Sequence, residues 1–319
     1  MSMNIPLNEH EQNLSNILCI KDQNGRVAIR VGLLATLFFD NQLTRSVRET
    51  VAAVADEYIE LFRPHLRWAA MPKAKYAIPI TSKRVRLPGE FLPQYPDGES
   101  WSFDFFGGAT AKSASEFHFA AFGSSPHADG GLGYLHLSFP FLWFADRTDT
   151  FQEYVVKLCQ QLRPISGYAG IGVLEIPDLH EAERFQTVVR EIAERYPGLE
   201  IEDRLGHTIE LRKGIKGINW LTILSDRWVK EMGDLEALQA RLGEPFGFYP
   251  YEGGLVVQAG PRPQIGDVQA NLWPKDYITL AKVLKKIQIT DHCAFHYSGK
   301  GQRMNREGSL AWLFRFDGK

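Results

Sequence analysis

Between Arg26 and Phe39 the chain starts by alternating. Val27, Ile29, Val31 and Leu33 fall on one side and Arg26, Ala28 and Arg30 on the other, and a period of two predicts a strand. The period then changes. Val47, Val51, Val54, Tyr58 and Leu61 recur at three and four, which predicts an amphipathic helix. Ser46 and Glu49 have the spacing of a capping box at its start, and Pro64 disfavours helix in the residue before it, so the helix should end near Arg63. From Trp68 to Gly133 helical periodicity is missing, and Pro88, Pro93, Pro96, Trp101, Phe103, Phe105 and Phe106 point to short strands and long connections. Residues 117–122 and 134–139 read as two strands joined by the 123–133 loop.

The second half is more regular. Thr150 and Glu153 could cap a helix carrying Phe151, Tyr154, Val155, Leu158 and Leu162. A strand region follows over 168–176. Asp178 and Glu181 then open a helix with Phe185, Val188, Val189, Ile192 and Tyr196 on its core face, which Pro197-Gly198 stops. Residues 217–224 look strand-like, and 226–242 suit a helix in two pieces broken at Gly233. The strongest local signal is a hairpin of 246–251 and 255–259 around Gly253-Gly254. Pro274 suits the first turn of a helix carrying Tyr277, Leu280, Ala281, Leu284 and Ile287. Two closing strands, 292–297 and 310–316, would flank a basic loop at 300–306. Frequent hairpins without a βαβ rhythm predict an α+β fold of antiparallel or mixed sheets with packed amphipathic helices, with two similar α/β halves as an option. The expected organisation is a polar segment over 1–24, an α+β region over 25–287 with a sub-boundary near 146–149, and C-terminal strands over 288–319.

Composition narrows the role mainly by exclusion. The 319 residues carry 36 basic against 38 acidic side chains, a net charge of −2, which argues against a sequence-independent nucleic-acid binder. Cys19, Cys159 and Cys293 are scattered and lack CxxC spacing, so neither a disulfide framework nor a zinc ribbon is expected. The N-terminus is polar with Glu9 and Glu11, unlike a signal peptide, and the apolar run over 132–145 is too short to span a bilayer and contains His136 and Pro140. A cytoplasmic protein with no membrane partner is the expectation.

Candidate chemistry is sparse. Asp291, His292, Cys293 and His296 resemble a metal cluster, but on a strand the two histidines return to one face about 13 Å apart. His118 and His136 fall in aromatic strands and read as hydrogen-bonded structural histidines. Glycines at 123, 167–172 and 299–301 match neither a nucleophile elbow, a dinucleotide fingerprint nor a phosphate loop. Lys83, Arg84 and Arg86 alternate with aliphatic residues like an exposed strand face. No catalytic, cofactor or metal site emerges, and no cofactor is called for. The more suggestive positions are contact-like: Tyr249, Tyr251 and Glu252 at a hairpin tip, since tyrosine offers large contact area with few rotors, and His127 with Asp129 in the 123–133 loop. Arg262, between Pro261 and Pro263, could buttress Asp267 or meet a partner.

Two stretches carry a family resemblance. Gly217-Ile218-Asn219-Trp220-Leu221-Thr222-Ile223-Leu224-Ser225-Asp226-Arg227-Trp228, ending in Met232-Gly233, is similar to a segment of the TsiV-like type VI secretion immunity family. So is Gly254-Leu255-Val256-Val257-Gln258-Ala259-Gly260-Pro261-Arg262-Pro263-Gln264-Ile265-Gly266-Asp267-Val268, the more specific of the two. The strand over 31–39, the helix through Tyr58, His65-Leu66-Arg67-Trp68 and the aromatic blocks 101–122 and 131–144 fit as well, so the resemblance spans about 25–287. It implies an antidote that binds and neutralises a cognate effector toxin, a nuclease-like protein of restriction-endonuclease fold, by protein–protein contact, and it transfers no catalytic residues. The alternatives are a hydrolase using His118, His136 or the Asp291 to His296 cluster, and an assembly component of the secretion apparatus.

Overall fold

A computed structural model describes residues 19–124, 131–141, 148–292, 295 and 305–319. The opening alternation becomes β2 (Val27–Phe39), the 13-residue middle strand of one antiparallel sheet. The other strands are β1 (Ile20–Lys21), β3 (Trp68–Ala70), β4 (Ile78–Pro79), β5 (Trp101–Phe106), β6 (His118–Gly123), β7 (Gly133–Pro140), β8 (Ser166–Glu175), β9 (Leu221–Ser225), β10 (Gly247–Tyr251) and β11 (Gly254–Gln258). The sheet runs β10-β11-β9-β8-β2-β7-β6-β5-β3-β4, with β1 paired to the start of β2. All ten strand pairs are antiparallel, which confirms the α+β class.

Period two divides the sheet into two faces. Phe103, Phe119, Leu135, Phe139, Leu37 and Ile171 share the apolar face, where α1 (Arg45–Phe62) packs. Tyr58 and Phe62 of α1 meet Phe139 at ring distances of 5.7 and 5.4 Å, and Phe151 of α3 (Thr148–Leu162) meets it at 6.0 Å. α2 (Pro88–Phe91) is a single turn beside α1. On the opposite face the register lines up Asp104, Ala120, His136, Thr36, Tyr168 and Thr222, one from each of six neighbouring strands. This row carries polar groups through an otherwise apolar interior.

The remaining helices, α4 (Leu179–Ala182), α5 (Gln186–Arg195), α6 (Arg204–Glu210), α7 (Asp226–Glu231), α8 (Leu235–Leu242), α9 (Lys275–Leu284) and α10 (Arg306–Leu313), come from the second half. β9 covers β8 only over Ser166 to Ala169. The uncovered stretch of β8 takes up the Glu200 backbone instead: Val173 N–H donates to the Glu200 carbonyl at 2.8 Å, and Glu200 N–H to the Ile171 carbonyl at 2.9 Å. A Cβ on Gly172 would lie 3.0 Å from Glu200 Cβ and 2.4 Å from a Leu34 methyl, so the close approach requires glycine there. That bridge delivers residues 200–204 onto the polar face.

Several local expectations change. The first helix is capped by Thr44, whose hydroxyl accepts from Val47 N–H, not by the Ser46–Glu49 box. The 217–224 strand shortens to β9 because Asn219 holds a turn, its Oδ1 accepting the Trp220 N–H at 2.7 Å. Lys83, Arg84 and Arg86 lie in turns and connecting chain between β4 and α2 rather than on a strand. The expected closing strand over 310–316 is α10 and the turn after it. Asn305 caps that helix through Gly308 N–H, and Ser309, Trp312 and Leu313 form its buried side. The C-terminal stretch 288–319 is therefore not a pair of strands: of the other one, 292–297, only His292 and Phe295 are described. The hairpin and the helix broken at Gly233 form as expected.

Candidate functional site

Over the β5–β6–β7 part of the polar face lies a cavity of about 470 Å³, lined on its other side by residues 173–177, 182, 183, 186 and 202–205. Its floor holds two histidine–carboxylate pairs. His118 Nε2 is 2.8 Å from Asp104 Oδ1. Next to it, His136 Nδ1 is 2.9 Å from the Thr36 hydroxyl and 3.2 Å from Glu202 Oε2. The Thr36 hydroxyl donates to Glu202, so it accepts from His136, which places the imidazole proton on Nδ1. Tyr168 also donates to Glu202, at 3.0 Å. The two imidazoles meet edge to face at 5.4 Å.

Burial governs the charge states. It pushes His136 down to about 4, and it lowers His118 too, in spite of the carboxylate beside each. Burial works against the Glu202 charge, but His136, Arg204 and Lys216 together hold its carboxyl well below the usual range. Glu175 goes the other way: burial raises it to about 8, only partly opposed by Arg204. At neutral pH the floor thus combines neutral imidazoles, an ionised Glu202 and a largely protonated Glu175.

Asp104, Glu175, Glu183, Glu202 and Asp203 line the cavity against one guanidinium, Arg204. Arg204 sits 5.6 Å from the Tyr134 ring, which stacks on Phe122 at 5.6 Å. Two buried polar atoms of the lining, Arg204 Nη1 and Gln186 Oε1, have no hydrogen-bond partner among the described residues. Glu183 and Leu205 are exposed and mark the mouth. Behind this site a second network is closed to solvent: Lys216 Nζ meets Glu200 Oε1 at 2.6 Å, and Asn219 Nδ2 donates to Glu200 Oε2 at 2.9 Å.

The positions singled out in the sequence are dispersed. Tyr251 turns into the core, its hydroxyl donating to the Leu224 carbonyl at 3.1 Å. Tyr249 is half-buried on the terminal strand β10, and exposed Glu252 pairs with Arg163 at 2.6 Å. Arg262 is half-buried beyond β11, and Asp267 is gripped by Arg195 through contacts of 3.0 and 3.3 Å. His127 and Asp129 lie outside the described residues. Of the Asp291 to His296 cluster, Asp291 pairs with Arg306 at 2.5 Å, while His292 is buried against His207, nitrogen to nitrogen at 2.7 Å. Cys293 and His296 are not among the described residues. No group of three or more His, Cys, Asp or Glu among the described residues is arranged to hold a metal, and no described helix is long and apolar enough to cross a membrane.

His118 and His136 are thus brought together, and Asp104, Glu175, Glu202 and Arg204 join them unforeseen. One sequence signal pointed there: Ser102, Asp104, His136 and Ser138 occupy the off-phase positions of strands whose other positions are aromatic or aliphatic.

The polar face of the sheet thus carries an acid-lined cavity. The chain belongs to the TsiV family, described as type VI immunity for VRR-NUC, which matches residues 50–316. That match runs through α10, beyond the stretch in which the resemblance was seen. Among solved structures, a T6SS protein of Pseudomonas aeruginosa has the same fold, with a TM-score of 0.85 at 24% identity over 95% of this chain and 88% of that one. No curated protein matches the chain.

Proposed function

We propose that this immunity protein is the cytoplasmic antidote to a nuclease-like VRR-NUC effector, which it silences by binding rather than by catalysis. Membership of the TsiV family over residues 50–316 carries this reading. A lining of five carboxyls and one guanidinium also suits a partner whose working surface must be basic to hold nucleic acid. Stable inhibition needs an interface of roughly 1,200–2,000 Å². The test is co-expression with the neighbouring effector gene, followed by nuclease assays on the purified pair. Growth should recover and nuclease activity should fall as the antidote reaches equimolar amounts. Persistent toxicity with soluble, folded antidote overturns the proposal.

The two carboxylate-backed imidazoles favour one second reading, acid–base chemistry on the toxin or its product. His118→Gln and His136→Gln separate the two readings. Retained toxin binding with lost protection would support chemistry, and retained protection excludes it.

A further inference from the structure

α6 has an unusual exposed side. Gly206, His207 and Thr208 are buried, whereas Leu205, which lines the cavity, is 40% exposed and Ile209, one turn further on, is 55% exposed. These two exposed branched residues on one helix face adjoin a pocket lined by buried polar groups, so apolar contact and a polar anchor point lie side by side. The pocket states what it lacks. Gln186, only 8% exposed, offers an acceptor without a donor, and Arg204 Nη1 is a donor without an acceptor among the described residues. An anionic ligand would face the five carboxyls of the lining, and an apolar one would leave both atoms unsatisfied.

We propose that the toxin docks on this face, its apolar surface on Leu205 and Ile209, and inserts a lysine or arginine into the cavity. The cationic side chain donates to Gln186 Oε1 and lies among Glu175, Asp104 and Asp203. A backbone carbonyl of the same toxin segment accepts from Arg204 Nη1. This assignment rests on the immunity reading above and specifies its surface. A consequence follows for protons: burial keeps Glu175 largely protonated in the free protein, and a cation beside it favours the carboxylate, so binding releases a proton.

The experiment is titration calorimetry of the full chain with a catalytically inactivated VRR-NUC effector, in two buffers of different ionisation enthalpy at neutral pH. The combined Leu205→Asp and Ile209→Asp variant should bind on the order of 100-fold more weakly, and Glu183→Lys about 10-fold. Wild type should release up to one proton per complex, and Glu175→Gln none. Leu61→Asp on α1 and the hairpin variant Tyr249→Ala with Glu252→Lys should bind like wild type. Thermal unfolding checks that each variant is folded. Wild-type affinity in the folded α6 variant overturns this assignment and leaves the immunity reading standing. A wild-type protein that neither binds nor protects overturns both.

Discussion

Lys216 and Glu200 form an ion pair inside the protein, Nζ to Oε1 at 2.6 Å, with both side chains 3% exposed. The pair is made where the Glu200 backbone fills the gap in β8. Lys216 Nζ also donates to the Ile201 carbonyl at 2.5 Å and lies 4.5 Å from the Tyr168 ring. The network that orders residues 200–204 therefore sits directly behind the cavity. Removing one partner of such a pair leaves a charge buried in low dielectric, so Lys216→Ala and Glu200→Ala should each cost about 3–5 kcal/mol. Lys216→Met with Glu200→Leu should cost less than the two single changes combined. Urea unfolding of the four proteins measures this.

Stability against pH should show two opposed slopes. Glu175 is raised from 4.5 to about 8, so the folded state keeps a proton that the unfolded chain has lost, and stability falls as pH rises through that window. His136 is lowered from 6.5 to about 4, so below 6.5 the unfolded chain takes up a proton that the folded state refuses, and stability falls as pH drops. Between 6.5 and 8 His136 no longer contributes, and Glu175→Gln should remove a decline of about 2 kcal/mol there. Between 4.5 and 6.5 the two oppose each other. His136→Gln should then keep gaining stability, relative to wild type, down to pH 4.5. Denaturant midpoints across pH test both signs.

Thr36→Val should cost about 1–3 kcal/mol, because the hydroxyl that links His136 to Glu202 is replaced by a methyl of the same shape. The measurement is again the unfolding midpoint. A heteronuclear spectrum of the imidazole should show the Nδ1 signal shift as Glu202 Oε2, 3.2 Å away, becomes its remaining acceptor.

In the hairpin, stability and surface separate cleanly. Tyr251→Phe should cost about 1 kcal/mol through its lost hydrogen bond to the Leu224 carbonyl. Gly254→Ala should cost more, since its Cβ would lie 2.2 Å from that carbonyl oxygen. Tyr249→Ala, on the half-buried outer strand, should cost less than Gly254→Ala. Calorimetric melting ranks the three, and a larger loss at Tyr249 would contradict the placement.

The sequence was most legible where a local residue decides the geometry. Gly253 takes a φ of 103° at the hairpin turn, and Gly233, at 110°, separates α7 from α8, so both breaks could be read from single residues. It was less legible where length or packing decides. Leu310 to Phe316 is too short an apolar run for its period to separate strand from helix, and the Asn305 cap tips it to helix. The cavity was nearly hidden, because Asp104, His136 and Glu202 come from separate strands and from a connecting segment whose backbone meets the sheet at Glu200. Isolated polar residues in aromatic strands look like ordinary structural exceptions until the register places them in one row.

Seven residues of α6 divide two kinds of inheritance. His207 is tied into the interior, while Leu205 and Ile209 are largely open to solvent. Those two positions can therefore change while the buried row beneath them keeps its contacts.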